Sequence, residues 1–237
     1  MKKKNILFLG ILLVLLVLFS LGCGKNFLNN TEASDNTKAN ELNSGQEQIE
    51  EKGIQFPAAL EEGKLEVESL FQFEGINPDA DNAIGTETAA IAVKNVSDRY
   101  LDEAEITVLT DDGELLFCVT NLPAGSTVMA FELENKPLSD GALCEEINCK
   151  AVFKDDVTNI PEQILVEEDG IQINITNTSE ESISKVIVYC HGPFEGEYFG
   201  GIARKYELQG LAAGETKEII AEDFFLGVAE VVHVEIE

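Results

Sequence analysis

The sequence predicts an all-β protein, two antiparallel β-sandwiches in tandem behind an export signal and a disordered tether. Three observations predict it. Apolar residues alternate with polar ones at period two through most of the chain, the pattern of half-buried strands. Clusters of Gly, Asn, Asp and Pro separate these runs, and no long stretch after the signal has a persuasive helical period. Finally, one plan of strands and turns occurs twice, at spacings that suit two domains of ordinary size.

The first element is the signal, residues 1–22. Lys2, Lys3 and Lys4 precede an apolar run from Ile6 to Leu21 that only Gly10 and Ser20 interrupt. A basic start, a short apolar stretch and small residues at its end make an export signal. The run is shorter than the roughly 20 residues a helix needs to cross the hydrocarbon core. Ser20-Leu21-Gly22-Cys23 resembles the lipobox of bacterial lipoproteins, with Ser20 standing where that family usually carries Leu. The resemblance implies that Cys23 takes a diacylglycerol on its sulfur, that cleavage falls just before it, and that acyl chains hold the protein on the outer face of the cell membrane.

The second element, residues 23–52, begins at the lipidated cysteine and is rich in Asn, Thr, Ser, Glu, Gln and Lys. Such a segment cannot bury enough apolar surface to offset its ordering entropy. It reads as a flexible tether spanning about 30 Å.

Strands follow. Lys64–Glu74 carries Leu65, Val67, Phe71 and Phe73, and Glu103–Thr110 carries Ile106 and Val108. Ser126–Glu134 places Met129, Phe131 and Leu133 on one face. Val186, Val188 and Cys190 alternate likewise, as do Val232, Val234 and Ile236. Asp111-Asp112-Gly113 and Asn121-Leu122-Pro123-Ala124-Gly125 read as turns.

The repeat sets the domain organisation. Val93-Lys94-Asn95-Val96-Ser97 matches Ile175-Thr176-Asn177-Thr178-Ser179, and Leu101, Ala104, Ile106 and Val108 then match Ile183, Val186, Val188 and Cys190. Leu122-Pro123-Ala124-Gly125-Ser126-Thr127 matches Leu211-Ala212-Ala213-Gly214-Glu215-Thr216, so the second copy holds an insertion between Cys190 and Leu211. The expected domains are residues 53–155 and 156–237. An apolar strand ending in Asn-x-Ser, a further strand, then Leu-x-x-Gly-x-Thr resembles the immunoglobulin-like sandwiches found in tandem on bacterial surface lipoproteins. That resemblance implies an Ig-like fold in the broad sense.

Charge excludes some partners. Cleavage before Cys23 removes three lysines and no acid from the 16 basic and 44 acidic residues, leaving a formal net charge of −31. Such a surface repels nucleic-acid phosphates and anionic headgroups, so no nucleic-acid partner is expected.

Little in the sequence suggests catalysis. His191 and His233, the two histidines, accompany no nucleophile elbow or serine–lysine motif and read as surface residues. Neither sits at ligand spacing from a cysteine pair, so no metal site or cofactor is expected. The stretch Asp79-Ala80-Asp81-Asn82-Ala83-Ile84-Gly85 is similar to a calcium loop, but Ala83 replaces a ligand and the glycine comes one residue late. It reads as a solvated loop. Cys144 and Cys149 bracket four residues and are the expected disulfide, which export permits. Cys118 and Cys190 read as buried thiols in strands.

The insertion, Gly192 to Gly201, is the candidate for a specific contact. Phe194, Tyr198 and Phe199 sit among glycines and Arg204 follows; either these aromatics reach a partner or they cap their own core. The sequence therefore predicts a lipid-anchored, non-enzymatic binding or assembly module of the bacterial envelope, contacting protein or glycan through loops of the second domain. The alternative is an accessory subunit of an envelope transporter or secretion complex.

Overall fold

A computed structural model of the protein describes residues 53–80, 86–155 and 157–237. The signal, Cys23 and the tether lie outside the described residues. Seven strands precede residue 156: β1 (Ala58–Leu60), β2 (Leu65–Gly75), β3 (Thr86–Asn95), β4 (Tyr100–Thr110), β5 (Gly113–Leu122), β6 (Thr127–Phe131) and β7 (Cys144–Lys154). Six follow it: β8 (Ile164–Asp169), β9 (Gln172–Asn177), β10 (Ile183–Phe194), β11 (Glu197–Leu211), β12 (Thr216–Ile220) and β13 (Glu230–Ile236). A 3-10 turn over Glu61–Gly63 is the one helical element among the described residues. The protein is all-β, as the alternation predicts.

The strands form layered, antiparallel sheets. A seven-stranded sheet runs β1-β2-β3-β6-β11-β10-β13, and two three-stranded sheets run β5-β4-β7 and β12-β9-β8. Within the large sheet β6 and β11 pair in parallel, over just Val128↔Tyr198 and Met129↔Phe199; its other neighbours are antiparallel. The group β2-β3-β6 faces β5-β4-β7 across a core that includes Leu65, Ile91, Val93, Ile106, Phe117 and Val128. The group β11-β10-β13 faces β12-β9-β8 across a second core, which includes Ile173, Ile175, Val186, Val188, Leu211 and Val234. In chain order the strands pair alike within each group. Both cores belong to the compact unit Glu50–Glu237.

The repeated Asn-x-Ser closes the same corner at each core. Asn95 is buried at the end of β3; its Nδ2 donates to the carbonyls of Arg99 (2.8 Å) and Leu122 (3.1 Å). Its Oδ1 accepts from the Ser97 hydroxyl at 2.7 Å and the Ser97 N–H at 3.2 Å. Asn177, buried at the end of β9, donates to Glu181 (2.7 Å), Leu211 (3.0 Å) and Ala212 (3.2 Å), and accepts from the Ser179 hydroxyl at 2.7 Å. Gly125 and Gly214, both at positive φ, donate their N–H to the carbonyls of Asn95 and Asn177. Positive φ is the backbone region that favours glycine, which accounts for the glycine in both Leu-x-x-Gly-x-Thr copies. One amide thus pins a strand end, the next strand and the following turn.

The alternation of β6 points the other way from expectation. Val128 and Ala130 enter the first core, whereas Phe131 meets other aromatics. Both faces of β6 are covered, so the alternation carries no information about which face is inside.

Candidate functional site

The parallel seam between β6 and β11 is where the sequence-predicted residues meet. Residues 76–80, which follow β2, lie across it. Asn77 is buried and shapes this segment: its Oδ1 accepts the N–H of Asp79 (2.9 Å) and Ala80 (3.2 Å), and its Nδ2 donates to the Glu132 carbonyl (2.8 Å). Asp79 Oδ2 then accepts the N–H of Phe131 at 2.9 Å and of Gly201 at 2.8 Å, and its Oδ1 accepts that of Ile202 at 3.0 Å. One carboxylate takes backbone donors from both strands just past their last paired residues. Burial raises the Asp79 pKa, while the three N–H donors and nearby Arg204 act against the rise. Asp79 is therefore a staple and not the solvated loop residue the sequence suggests; Asp81 and Asn82 lie outside the described residues.

Glycine lets the strands come this close. A Cβ on Gly201 would fall 2.2 Å from the Cys118 carbonyl oxygen and 2.7 Å from Ala130 Cβ. Gly200 holds φ at +97° against Pro78. Across the same contact Thr120 Oγ1 accepts the Ala203 N–H at 2.9 Å, and the Thr120 carbonyl lies 2.9 Å from His191 Nε2.

The insertion lengthens the β10–β11 hairpin, whose turn at Glu195 and Gly196 has positive φ at both residues, the conformation of a two-residue hairpin turn. Its aromatics pack largely against the other core's strands. Phe199 lies 4.7 Å from the Phe131 ring, 5.7 Å from Phe73, 5.8 Å from Phe194 and 5.1 Å from Phe225. Tyr198 packs against the first core, stacks on His191 at 4.9 Å and donates its hydroxyl to Glu230 at 2.8 Å. Arg204 donates to the Pro78 carbonyl at 2.6 Å and lies 3.5 Å from Asp223. Of the four residues the sequence singles out, Tyr198, Phe199 and Arg204 join the seam, while Phe194 stays 40% exposed.

Neither histidine is a surface residue. His191 is buried and desolvation lowers its pKa to about 4. His233 lies 5.1 Å from the Tyr100 ring and 5.8 Å from Tyr189, with Nδ1 3.1 Å from the Asn159 carbonyl; burial lowers its pKa too. Neutral imidazoles fit such surroundings; the alternation places both histidines opposite the inward face, and the available signal was the unbroken apolar runs Val186–Cys190 and Val231-Val232 that precede them. Glu132, which follows Phe131, is buried and accepts the N–H of Leu116, Glu134 and Lys136.

Cys144 and Cys149 are free thiols. Both sit on β7, where a rise of about 3.3 Å per residue separates their Cα atoms by far more than the ~7 Å a disulfide tolerates. Burial pushes Cys118 up to about 11 and Cys149 and Cys190 up to about 12, and it raises Cys144 as well. These thiols stay protonated at neutral pH and are poor nucleophiles. No cluster of three or more His, Cys, Asp or Glu suited to a metal occurs among the described residues.

Two hollows lie beside the seam. One, of about 470 Å³, is lined by Ile160, Val166, Glu168, Pro193, Val228 and Glu230 among others. The other, of about 320 Å³, has Lys94, Thr127, Glu197 and Tyr198 on its walls and shares Pro193 and Glu230 with the first. Around the hairpin tip, Phe225 (46% exposed), Leu226 and Val228 (43%) join Phe194 at the surface. No known family model matches the chain, and no curated protein matches it.

Proposed function

We propose that the protein is a lipid-anchored, non-enzymatic binding or assembly module of the bacterial envelope. In this reading β2–β7 and β8–β13 are two Ig-like sandwiches in tandem, joined at the seam, and Cys23 carries the acyl anchor. The observation that carries it is the exposed apolar rim of Phe194, Phe225, Leu226, Val228 and Ile160 on a strongly acidic chain. Clustered apolar side chains at loop tips of an otherwise charged surface mark contact sites. The buried polar groups Asn95, Asn177, Asp79 and Glu132 are engaged by backbone, and serve architecture.

The test is capture from native envelope extracts on the immobilised chain, compared with a Phe194→Ser/Phe225→Ser variant. Tyr198 and Phe199 are left intact in this variant because their loss would disturb the seam. A partner held by the wild type and lost by the equally stable double variant supports the module. A partner held equally by both moves the contact elsewhere and favours the accessory-subunit reading. Intact mass of the membrane-bound chain tests the anchor: the expected species starts at Cys23 with a diacylglyceryl adduct, and a chain retaining Met1 contradicts it.

A further inference from the structure

We propose that the cleft formed by the two hollows binds an extended segment of a partner protein carrying an apolar and a basic side chain two residues apart. The inference rests on the binding-module reading and names its partner class. The larger hollow offers Ile160, Val166 and Val228, aliphatic walls that suit an aliphatic side chain. The smaller offers the carboxylates of Glu197 and Glu230 beside the Tyr198 ring. Glu168 also lines the apolar hollow, and its carboxylate accepts the Val231 N–H. The single cation on these walls, Lys94, is 3.5 Å from Glu68. Charge complementarity therefore selects a cationic occupant.

Geometry selects an extended one. Pro193 and Glu230 wall both hollows, so the hollows are immediate neighbours. In an extended chain, side chains two residues apart point the same way about 7 Å from each other, a spacing that lets two of them enter adjoining hollows. The apolar member supplies contact area, and the basic member supplies selection and steering toward a surface of this sign. Lys94 and Thr127 come from the β2–β7 group and Val166, Pro193 and Val228 from β8–β13 or its loops. The cleft thus exists only where the two groups are joined, which gives the seam a role in recognition.

The probe is a fluorescein-labelled peptide of repeated Leu-Ser-Lys-Ser, which sets Leu and Lys two residues apart on one face of an extended chain, titrated by anisotropy with the full chain in detergent. Two control peptides replace Leu by Ser or Lys by Glu. The Leu/Lys peptide is expected to bind at least tenfold more tightly than either control. Val228→Asp and Glu197→Gln in the protein should each weaken binding at least fivefold with melting unchanged; Ile160→Asp substitutes for Val228→Asp if that variant melts early. Equal binding of the Ser/Lys peptide, or binding indifferent to these variants, overturns the proposal, since a diffuse acidic surface would suffice. If the peptide fails but the Phe194→Ser/Phe225→Ser variant still loses an envelope partner, the cleft falls and the module stands. If both fail, both readings fall.

Discussion

Asn95 and Asn177 each close a corner with a single amide. Truncating Asn177 to Ala leaves the buried carbonyl of Leu211 without its side-chain donor and the Ser179 hydroxyl without its acceptor. An unsatisfied buried group costs about 1–3 kcal/mol, so urea denaturation of Asn177→Ala should show a loss of about 2–4 kcal/mol. A change near zero would mean that water replaces the amide. His191 carries a pH dependence. Its folded pKa, about 4, lies below the ordinary histidine value of 6.5, so its contribution is fully present above pH 6.5 and is lost as pH falls toward 4. Within that window the unfolded chain binds a proton that the folded chain refuses, an effect worth up to about 3 kcal/mol. The stability difference between wild type and His191→Gln should therefore shrink from pH 6.5 to pH 4. A difference constant across that range would show that His191 does not stay neutral in the fold.

The β10–β11 hairpin separates packing from recognition. Phe199 contacts four other phenylalanine rings, whereas Phe194 contacts Phe199 and is 40% exposed. Removing a fully buried Phe ring costs about 3–5 kcal/mol and the half-buried, ring-packed Phe199 somewhat less, about 2–3 kcal/mol, while exposed positions usually change stability by less than about 1 kcal/mol. Phe199→Ala should lower the urea midpoint strongly and Phe194→Ala barely; similar midpoints for the two would refute the assignment of Phe199 to the seam. The sequence shows three aromatics among glycines without distinguishing them, because burial depends on what lies opposite. Here Phe73 and Phe131 lie opposite, from strands far away in the chain. Likewise the β6 alternation is plain in sequence, yet Val128 rather than Met129 enters the core.

Two cores in one compact unit raise the question of coupling. Asp79 binds donors of β6 and β11, His191 meets Thr120, and Lys154 lies 3.5 Å from Glu235. The charged pair is partly exposed and contributes little, so the buried contacts carry the coupling. Urea unfolding should follow a single transition in both near-UV dichroism and intrinsic tyrosine fluorescence. Asp79→Ala, which leaves three seam N–H groups without their acceptor, should split it into two. A wild type that already unfolds in two steps would show that the seam does not couple the cores.

The sequence by itself determined the all-β class, the positions of the main strands and turns, the recurring Asn-x-Ser corner and the acidic surface. These follow from local chemistry: period-two alternation, glycines at positive φ, and the count of charges. Only the tertiary structure decided which face of β6 is inside, that both histidines are buried, that Cys144 and Cys149 stay apart, and that Asp79 staples β6 to β11. The physical reason is range. Asp79 and Ile202 are 123 positions apart, and no local pattern encodes a hydrogen bond between residues that only the tertiary fold brings together.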